Sequence, residues 1–168
     1  MKRTICLVLV IILTFLLQTT VFQNFALADT VPNLLVIVIV SIGYMRGKYE
    51  AMFLGLFTGL LVDATYCDII GVYAFLFTVI GYLTGCCNKI CYRDNYGIPI
   101  LLVGISDLFL NFCYFVLTFL LRNRTNIGFY FQRIMLPEVI YTVVVSIIIY
   151  RFMHYLIRLL ERSKSKEA

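Results

Sequence analysis

Residues 55–65 read GLFTGLLVDAT, and this stretch decides how the chain folds. Gly55 and Gly59 stand four residues apart in an apolar run, and Asp63 follows four residues later. Residues four apart lie on one face of a helix, and glycines on such a face let a second helix approach closely. A carboxylate in hydrocarbon is costly unless it faces the protein interior and has a partner. The stretch therefore predicts a closely packed helix whose buried Asp63 has a specific partner.

The composition predicts that this helix lies in a lipid bilayer. Of 168 residues, 62% are hydrophobic and 14% are charged, which is far outside the usual range of soluble domains. Crossing about 30 Å of hydrocarbon takes about 20 helical residues. The chain offers six such runs, at 5–25, 31–45, 49–66, 69–90, 98–121 and 136–157. We therefore predict an all-α integral membrane protein, a single six-helix transmembrane bundle over residues 1–168.

The basic residues predict the orientation of the six spans. With the N-terminus in the cytoplasm, three of the 14 Lys and Arg residues fall outside, namely Arg122, Arg124 and Arg133, and the other eleven fall on the cytoplasmic side. Cytoplasmic loops carry the excess of Lys and Arg in membrane proteins, so both termini are expected in the cytoplasm. The first run exceeds the roughly 7–15 apolar residues of a signal peptide and is expected to remain as a span.

The third and fourth spans each carry a seam of small residues along one face. Intervals of three and four residues connect the members of each seam, which are Ala51, Gly55, Gly59 and Asp63 in the third span and Gly71, Ala74, Thr78, Gly81 and Gly85 in the fourth. Such seams allow close van der Waals packing of helices in lipid. Glycine is also common in membrane helices without this role, but two full-length seams on adjacent spans favour a tight central hairpin.

The fifth span carries a polar stripe at the same spacing, formed by Gly104, Asp107, Asn111, Tyr114 and Thr118. A charged carboxylate near the middle of a span costs about 2.5–3.5 kcal/mol on insertion scales. The stripe is therefore expected to face the bundle interior, with Asp107 either protonated or paired. Two interpretations stay open, a buried hydrogen-bond network that fixes the helix register and the lining of a path for a small molecule or ion.

Charged residues also cluster at the predicted membrane surfaces. Asp63 is expected level with the outer ends of the fifth and sixth spans, which predicts an outer polar cluster or partner contact formed by Asp63, Arg122, Arg124, Phe129, Arg133 and Glu138. The alternative is ordinary polar capping at headgroup depth. At the cytoplasmic end, the sixth span carries a basic stripe of Arg151, His154, Arg158 and Arg162. This stripe is expected to bind anionic lipid, with an acidic cytoplasmic partner as the alternative.

Motifs for catalysis, cofactors and nucleic acid are missing from the sequence. It contains one histidine and no H-E-x-x-H, G-x-S-x-G or P-loop pattern. Cys86, Cys87 and Cys91 share the cytoplasmic end with His154, but they lack the usual spacing of zinc ligands, and their role stays open. We therefore expect no enzyme activity, no cofactor, no metal site and no nucleic-acid partner.

Several of these features resemble the MreD family, the rod shape-determining membrane proteins of bacteria. The resemblance is carried by Pro32 at the start of the second span, G-x-x-x-G-L-L-x-D at 55–63, Gly71 at the start of the fourth span and Pro137 near the start of the last. It extends over essentially the whole chain. Asp107 and the three clustered cysteines belong to no pattern of that family.

The resemblance implies a non-enzymatic scaffold of the cell-elongation complex in the bacterial plasma membrane. Its expected partner is an MreC-like bitopic protein, and together they would link an MreB-type filament, directly or indirectly, to a peptidoglycan polymerase and transpeptidase. The implied fold is similar to the substrate-binding subunits of ECF-type vitamin transporters, and the implied motif positions are Gly55, Gly59 and Asp63. The polar stripe around Asp107 motivates the alternative function, a small-molecule transporter or substrate-binding membrane subunit.

Overall fold

The polypeptide forms six α-helices in the part of the chain that the computed structural model describes, residues 2–21, 30–66, 71–87, 97–117 and 131–165. No strand forms within these ranges, so the prediction of an all-α fold is confirmed. A short π-helical turn at Phe131–Met135 leads into the last helix. The helices are α1 Lys2–Thr20, α2 Leu34–Arg46, α3 Lys48–Tyr66, α4 Val72–Cys87, α5 Gly97–Phe115 and α6 Leu136–Ser165.

Two of these helices are long and apolar enough to cross a membrane by themselves. They are Gly97–Phe115 and the segment Leu136–Tyr155 of α6. The helices at Ile5–Thr20, Leu34–Arg46 and Val72–Cys87 are apolar but shorter, and a helix of 13 residues such as α2 spans only about 20 Å. The expected number of six spans and the cytoplasmic position of both termini stay predictions.

The centre of the bundle is α2. Its residues from Leu34 to Tyr44 are all buried, and it contacts each of the other five helices. A helix that is apolar on nearly every side is stable only when it is surrounded by other protein or lipid. The hydroxyl of Ser41 in α2 donates to the carbonyl of Ile37 at 2.6 Å. The expectation that the hairpin of the third and fourth spans is central is wrong, because that hairpin packs on one side of α2 and exposes Phe53 and Phe75.

The antiparallel helices α3 and α4 form the most extensive contact in the bundle. A Cβ atom added to Gly55 would lie 2.5 Å from the carbonyl oxygen of Phe77, and one added to Gly81 would lie 2.5 Å from that of Ala51. These neighbours are backbone atoms, which cannot rotate away as the end of a flexible side chain can. The two helices can therefore approach this closely only with glycine at these positions.

The glycines at the two ends of the contact are equally restricted. A Cβ atom on Gly59 would lie 2.5 Å from the nitrogen of Ala74, and one on Gly85 would lie 2.5 Å from the nitrogen of Lys48. The contact therefore extends over most of both helices. It fixes α4 along α3 and brings the start of α4 beside Asp63.

Each of the six helices has one terminus at each end of the bundle. At one end, which we call the Tyr66 end, the rings of Phe15 and Tyr66 lie 6.3 Å apart and those of Tyr73 and Tyr114 lie 5.1 Å apart. Helices α1, α3 and α5 therefore end there, and α2, α4 and α6 begin there. We call the opposite end, where α2 ends, the Arg46 end.

Candidate functional site

The partner of Asp63 is the first turn of α4. One carboxylate oxygen, Oδ2, accepts hydrogen bonds from the backbone nitrogens of Gly71 at 3.0 Å and Ala74 at 2.9 Å. The other oxygen, Oδ1, accepts from the nitrogen of Tyr73 at 3.0 Å. Asp63 is 1% exposed. A side chain at the end of α3 thus caps the beginning of α4.

The local sequence explains why this cap comes from another helix. The first backbone N–H groups of a helix have no partner within the helix and usually bond to the side chain of the capping residue. Here the residue before α4 is Gly71, which has no side chain and has a φ of 113°. The carboxylate of Asp63 supplies the missing acceptor, and its negative charge lies at the positive end of the helix dipole. The glycine seam and Asp63 therefore act together in joining α3 to α4.

The start of α2 is held in a similar way by its neighbours. The side-chain oxygen of Asn33 accepts from the nitrogen of Val36 at 3.4 Å, and that of Gln18 accepts from the nitrogen of Leu35 at 3.3 Å. The backbone nitrogen of Asn33 in turn donates to the hydroxyl of Thr142 at 3.1 Å. These contacts join α1, α2 and α6 at the Tyr66 end.

A buried acid and a half-buried acid lie near each other beside these contacts. Asp107 of α5 is 0% exposed and faces Thr142, Asn33 and the carboxyl group of Glu138. Glu138 of α6 faces the side chain of Asn111, whose amide donates to the carbonyl of Asp107 at 3.1 Å. Neither carboxylate oxygen of Asp107 has a donor in good hydrogen-bond geometry among the described residues.

A cavity of about 310 Å³ adjoins the two acids at the Tyr66 end. One part of its wall is polar and the other is aromatic. The polar lining residues are Gln18, Thr19, Thr30, Asn33 and Glu138, and the aromatic ones are Phe15, Tyr66, Tyr73 and Phe77. The cavity is half open, so that a small molecule could enter it from the end of the bundle.

The structure gathers part of the predicted outer cluster and separates the rest. Glu138 lines the cavity with its carboxyl group near Asp107, whereas Asp63 is bonded to α4. Arg133 is exposed at the turn before α6. Arg122, Arg124 and Phe129 lie outside the described residues, so their predicted contacts stay predictions.

The other predicted positions also have definite locations. Tyr114 of the polar stripe stacks on Tyr73 of α4, and a Cβ atom on Gly104 would contact the side chain of Val143 at 3.0 Å, so that part of the stripe faces α6. Cys86 and Cys87 are half-buried at the end of α4, while Cys91 lies outside the described part of the chain. Within that part, no three His, Cys, Asp or Glu side chains converge as metal ligands.

Sequence reasoning missed three polar residues at the Tyr66 end, namely Gln18, Asn33 and Thr142. Asn33 stands directly before an apolar helical run, which is the usual place of a capping residue. Thr142 follows Glu138 by four residues and therefore lies on the same face of α6. Both signals are present in the sequence. Gln18 carries no such signal, because its bond to α2 depends on how α1 packs.

A second concave surface lies near the Arg46 end, between α1 and α3. It has a volume of about 400 Å³ and is lined mainly by apolar side chains, among them Leu7, Val8, Phe53 and Phe57, together with one acid, Glu50. Phe53 is 74% exposed and the adjacent Tyr49 is 71% exposed. We call this surface the α1–α3 groove. Its apolar lining suits the side chains of another helix within the bilayer.

Comparisons with known proteins identify the family. A family model described as rod shape-determining protein MreD matches residues 1–160 of the 168-residue chain. No match is found among curated proteins or solved structures, so the similarity to ECF-type substrate-binding subunits stays a prediction. The members of the matched family are membrane proteins that determine cell shape, and they are not known as enzymes. Because the match covers nearly the whole chain, the resemblance carried by the motif residues is confirmed. The chain belongs to the MreD family of rod shape-determining proteins.

Proposed function

We propose that this protein is a non-enzymatic scaffold of the bacterial cell-elongation complex. It binds an MreC-like bitopic protein and couples an MreB-type filament, directly or indirectly, to the peptidoglycan polymerase and transpeptidase. The single observation that carries the proposal is the family match over residues 1–160. We further propose a multi-pass position in the plasma membrane with both termini in the cytoplasm, supported by the excess of basic residues in the predicted cytoplasmic segments.

The α1–α3 groove is the surface that we propose for the transmembrane helix of the MreC-like protein. It combines an apolar lining with two exposed aromatic side chains, Tyr49 and Phe53. Aromatic side chains supply much of the contact area in protein interfaces. A single membrane-spanning helix provides the apolar ridge that such a groove can accept. A second contact is proposed for the segment of this chain that contains Arg122, Arg124, Phe129 and Arg133. This segment binds the part of the partner that lies just outside the membrane.

The buried position of Asp63 removes it from this proposed partner surface. Its carboxylate already accepts three hydrogen bonds within the chain, and a partner could reach it only by opening the α3–α4 contact. Anionic lipid is the proposed ligand of the basic residues near the end of α6, where Arg151 is exposed and His154 is half-buried. The side chains of Arg158 and Arg162 lie outside the described residues.

Site-specific photo-crosslinking in cells tests the proposal. A photoreactive amino acid at Phe53 is expected to capture the MreC-like protein. The matched control is Leu101 of α5, which is 62% exposed and also lies near the Arg46 end. Depletion of the chain is expected to convert rods into round cells. Rod-shaped cells after depletion would contradict the scaffold function, and equal capture from Phe53 and Leu101 would contradict the proposed groove.

A further inference from the structure

The cavity at the Tyr66 end has features that helix packing alone does not explain. Its volume of about 310 Å³ falls at the lower end of the usual range for small-molecule pockets, about 300–1,000 Å³. The cavity is half open and therefore accessible, unlike an enclosed packing void. Here it opens beside two acids from different helices, Asp107 and Glu138.

Basic residues do not contribute to the described lining of the cavity. None of the described residues that line the cavity is Lys, Arg or His. Asp107 is completely buried, and neither of its oxygens has a well-placed donor among the described residues. A buried acid that is ionised is costly unless an opposite charge is near it, and a second ionised acid at the same place adds like-charge repulsion. A positive charge in the cavity would relieve both costs.

The remaining wall indicates what kind of cation fits. Phe15, Tyr66 and Tyr73 line the same cavity as Glu138, and aromatic faces attract organic ammonium groups by cation–π interaction. The side chains of Asn33 and Thr30 offer oxygen acceptors near Glu138. A hard metal ion usually takes six or more oxygen ligands, whereas an ammonium group needs about three acceptors and an apolar surface for its carbon chain.

We infer that this cavity binds a small organic cation through its ammonium group, with Glu138 as the direct carboxyl partner and Asp107 as a second acid behind it. An anionic ligand would be disfavoured beside two acids, and a neutral apolar ligand would leave an ionised Glu138 without an opposite charge. The inference goes beyond the scaffold function and does not rest on it, because the cavity and the α1–α3 groove lie at opposite ends of the bundle.

Binding of two matched probes to the purified full-length chain tests the inference. The first probe is phenethylamine, which carries a positive charge at neutral pH, and the second is 2-phenylethanol, its neutral counterpart. Thermal unfolding in detergent is followed with a thiol-reactive dye, which reports the exposure of half-buried thiols such as Cys113. Phenethylamine is expected to raise the unfolding temperature in proportion to its occupancy, and 2-phenylethanol at the same concentration is not.

Three variants assign the effect to the cavity. Glu138→Gln is expected to weaken phenethylamine binding by about tenfold or more, because it removes the direct charge partner. Asp107→Asn is expected to weaken it to a smaller extent. Glu50→Gln tests the competing site, since Glu50 is the acid that lines the α1–α3 groove; it is expected to leave phenethylamine binding unchanged, and a loss of binding in this variant would place the probe in the groove and overturn the inference.

The unmodified chain alone can overturn the inference, whether or not the variants fold. Equal shifts with phenethylamine and 2-phenylethanol, or no shift with either, would show that the cavity does not select an ammonium group. Phenethylamine affinity unchanged in Glu138→Gln would place binding elsewhere. None of these results bears on crosslinking from Phe53 or on cell shape, so failure of this inference is distinguishable from failure of the scaffold function.

Discussion

Replacement of Asp63 by alanine is expected to separate the start of α4 from α3. The substitution removes both acceptor oxygens and leaves the nitrogens of Gly71, Tyr73 and Ala74 without their side-chain partner. A buried donor left unsatisfied costs about 1–3 kcal/mol. Ala74 is buried, whereas Gly71 and Tyr73 are half-buried, so water can replace part of the loss at those two positions. We therefore expect a decrease of about 2–5 kcal/mol in the free energy of unfolding.

Asparagine at the same position distinguishes the hydrogen bonds from the charge. The amide keeps one acceptor oxygen but presents an NH₂ group where the second carboxylate oxygen was. One of the three backbone donors then faces another donor, and the favourable charge at the helix dipole is lost. We expect Asp63→Asn to lower the free energy of unfolding by about 1–3 kcal/mol, less than alanine does.

Unfolding in mixed micelles with increasing sodium dodecyl sulfate measures both changes. The chain contains no tryptophan, so circular dichroism of the helices is the suitable signal. Thr65→Ala is the matched control, because Thr65 is exposed on the same turn of α3 and donates only to the carbonyl of Leu61 at 2.8 Å. This control is expected to change stability by less than about 0.5 kcal/mol. A value for Asp63→Ala as small as that of the control would refute the capping role.

Two further predictions concern helix packing and the α2 cap. Gly59→Ala is expected to lower the free energy of unfolding by about 1–3 kcal/mol, because the added Cβ atom would overlap the backbone of Ala74. Gly97→Ala is the control, because a Cβ atom at Gly97 has no neighbour within 4 Å. This control is expected to be neutral or slightly stabilising in the same assay. Thr142→Val removes the acceptor of the buried Asn33 nitrogen and is expected to cost about 1–3 kcal/mol, so an unchanged midpoint would exclude that bond as a link between α2 and α6.

The sequence predicted the α3–α4 relation in some detail. Spacing alone placed Gly55, Gly59 and Asp63 on one face of α3, because the helical period depends only on local geometry. The cost of a carboxylate in hydrocarbon required that Asp63 have a partner. Which partner it has could not be predicted, since that depends on how far the chain after α3 lets Gly71 return toward it.

The position of α2 could not be predicted from periodicity. In a helix with one polar face, the sequence pattern indicates which side is buried. The residues of Leu34–Tyr44 give no such pattern, because apolar residues lie on all sides of the helix. The pattern is equally compatible with a helix in lipid and with one inside a bundle. Length is the one available signal, because 13 residues are too few to cross the hydrocarbon of a bilayer without help from neighbours.

The sequence also did not predict that Asp107 and Glu138 lie close together. The two residues lie on different helices, and nothing in either local pattern indicates that their faces converge. The polar stripe predicted that Asp107 faces the interior, and the proline before Glu138 suggested only a helix start. Tertiary packing of α5 and α6 against Asn33 brings the acids together, and a single sequence does not encode that packing as a readable motif.

Amide hydrogen exchange at Gly71, Tyr73 and Ala74 tests most directly whether Asp63 holds α4 to α3. In the unmodified chain, these three backbone N–H groups are bonded to one carboxylate and are expected to exchange slowly. In Asp63→Ala they are expected to exchange at least about tenfold faster, in line with a loss of 1.4 kcal/mol or more in local stability, while amides in the middle of α2 change much less. Equal exchange rates at the three amides in both proteins would contradict the capping role of Asp63.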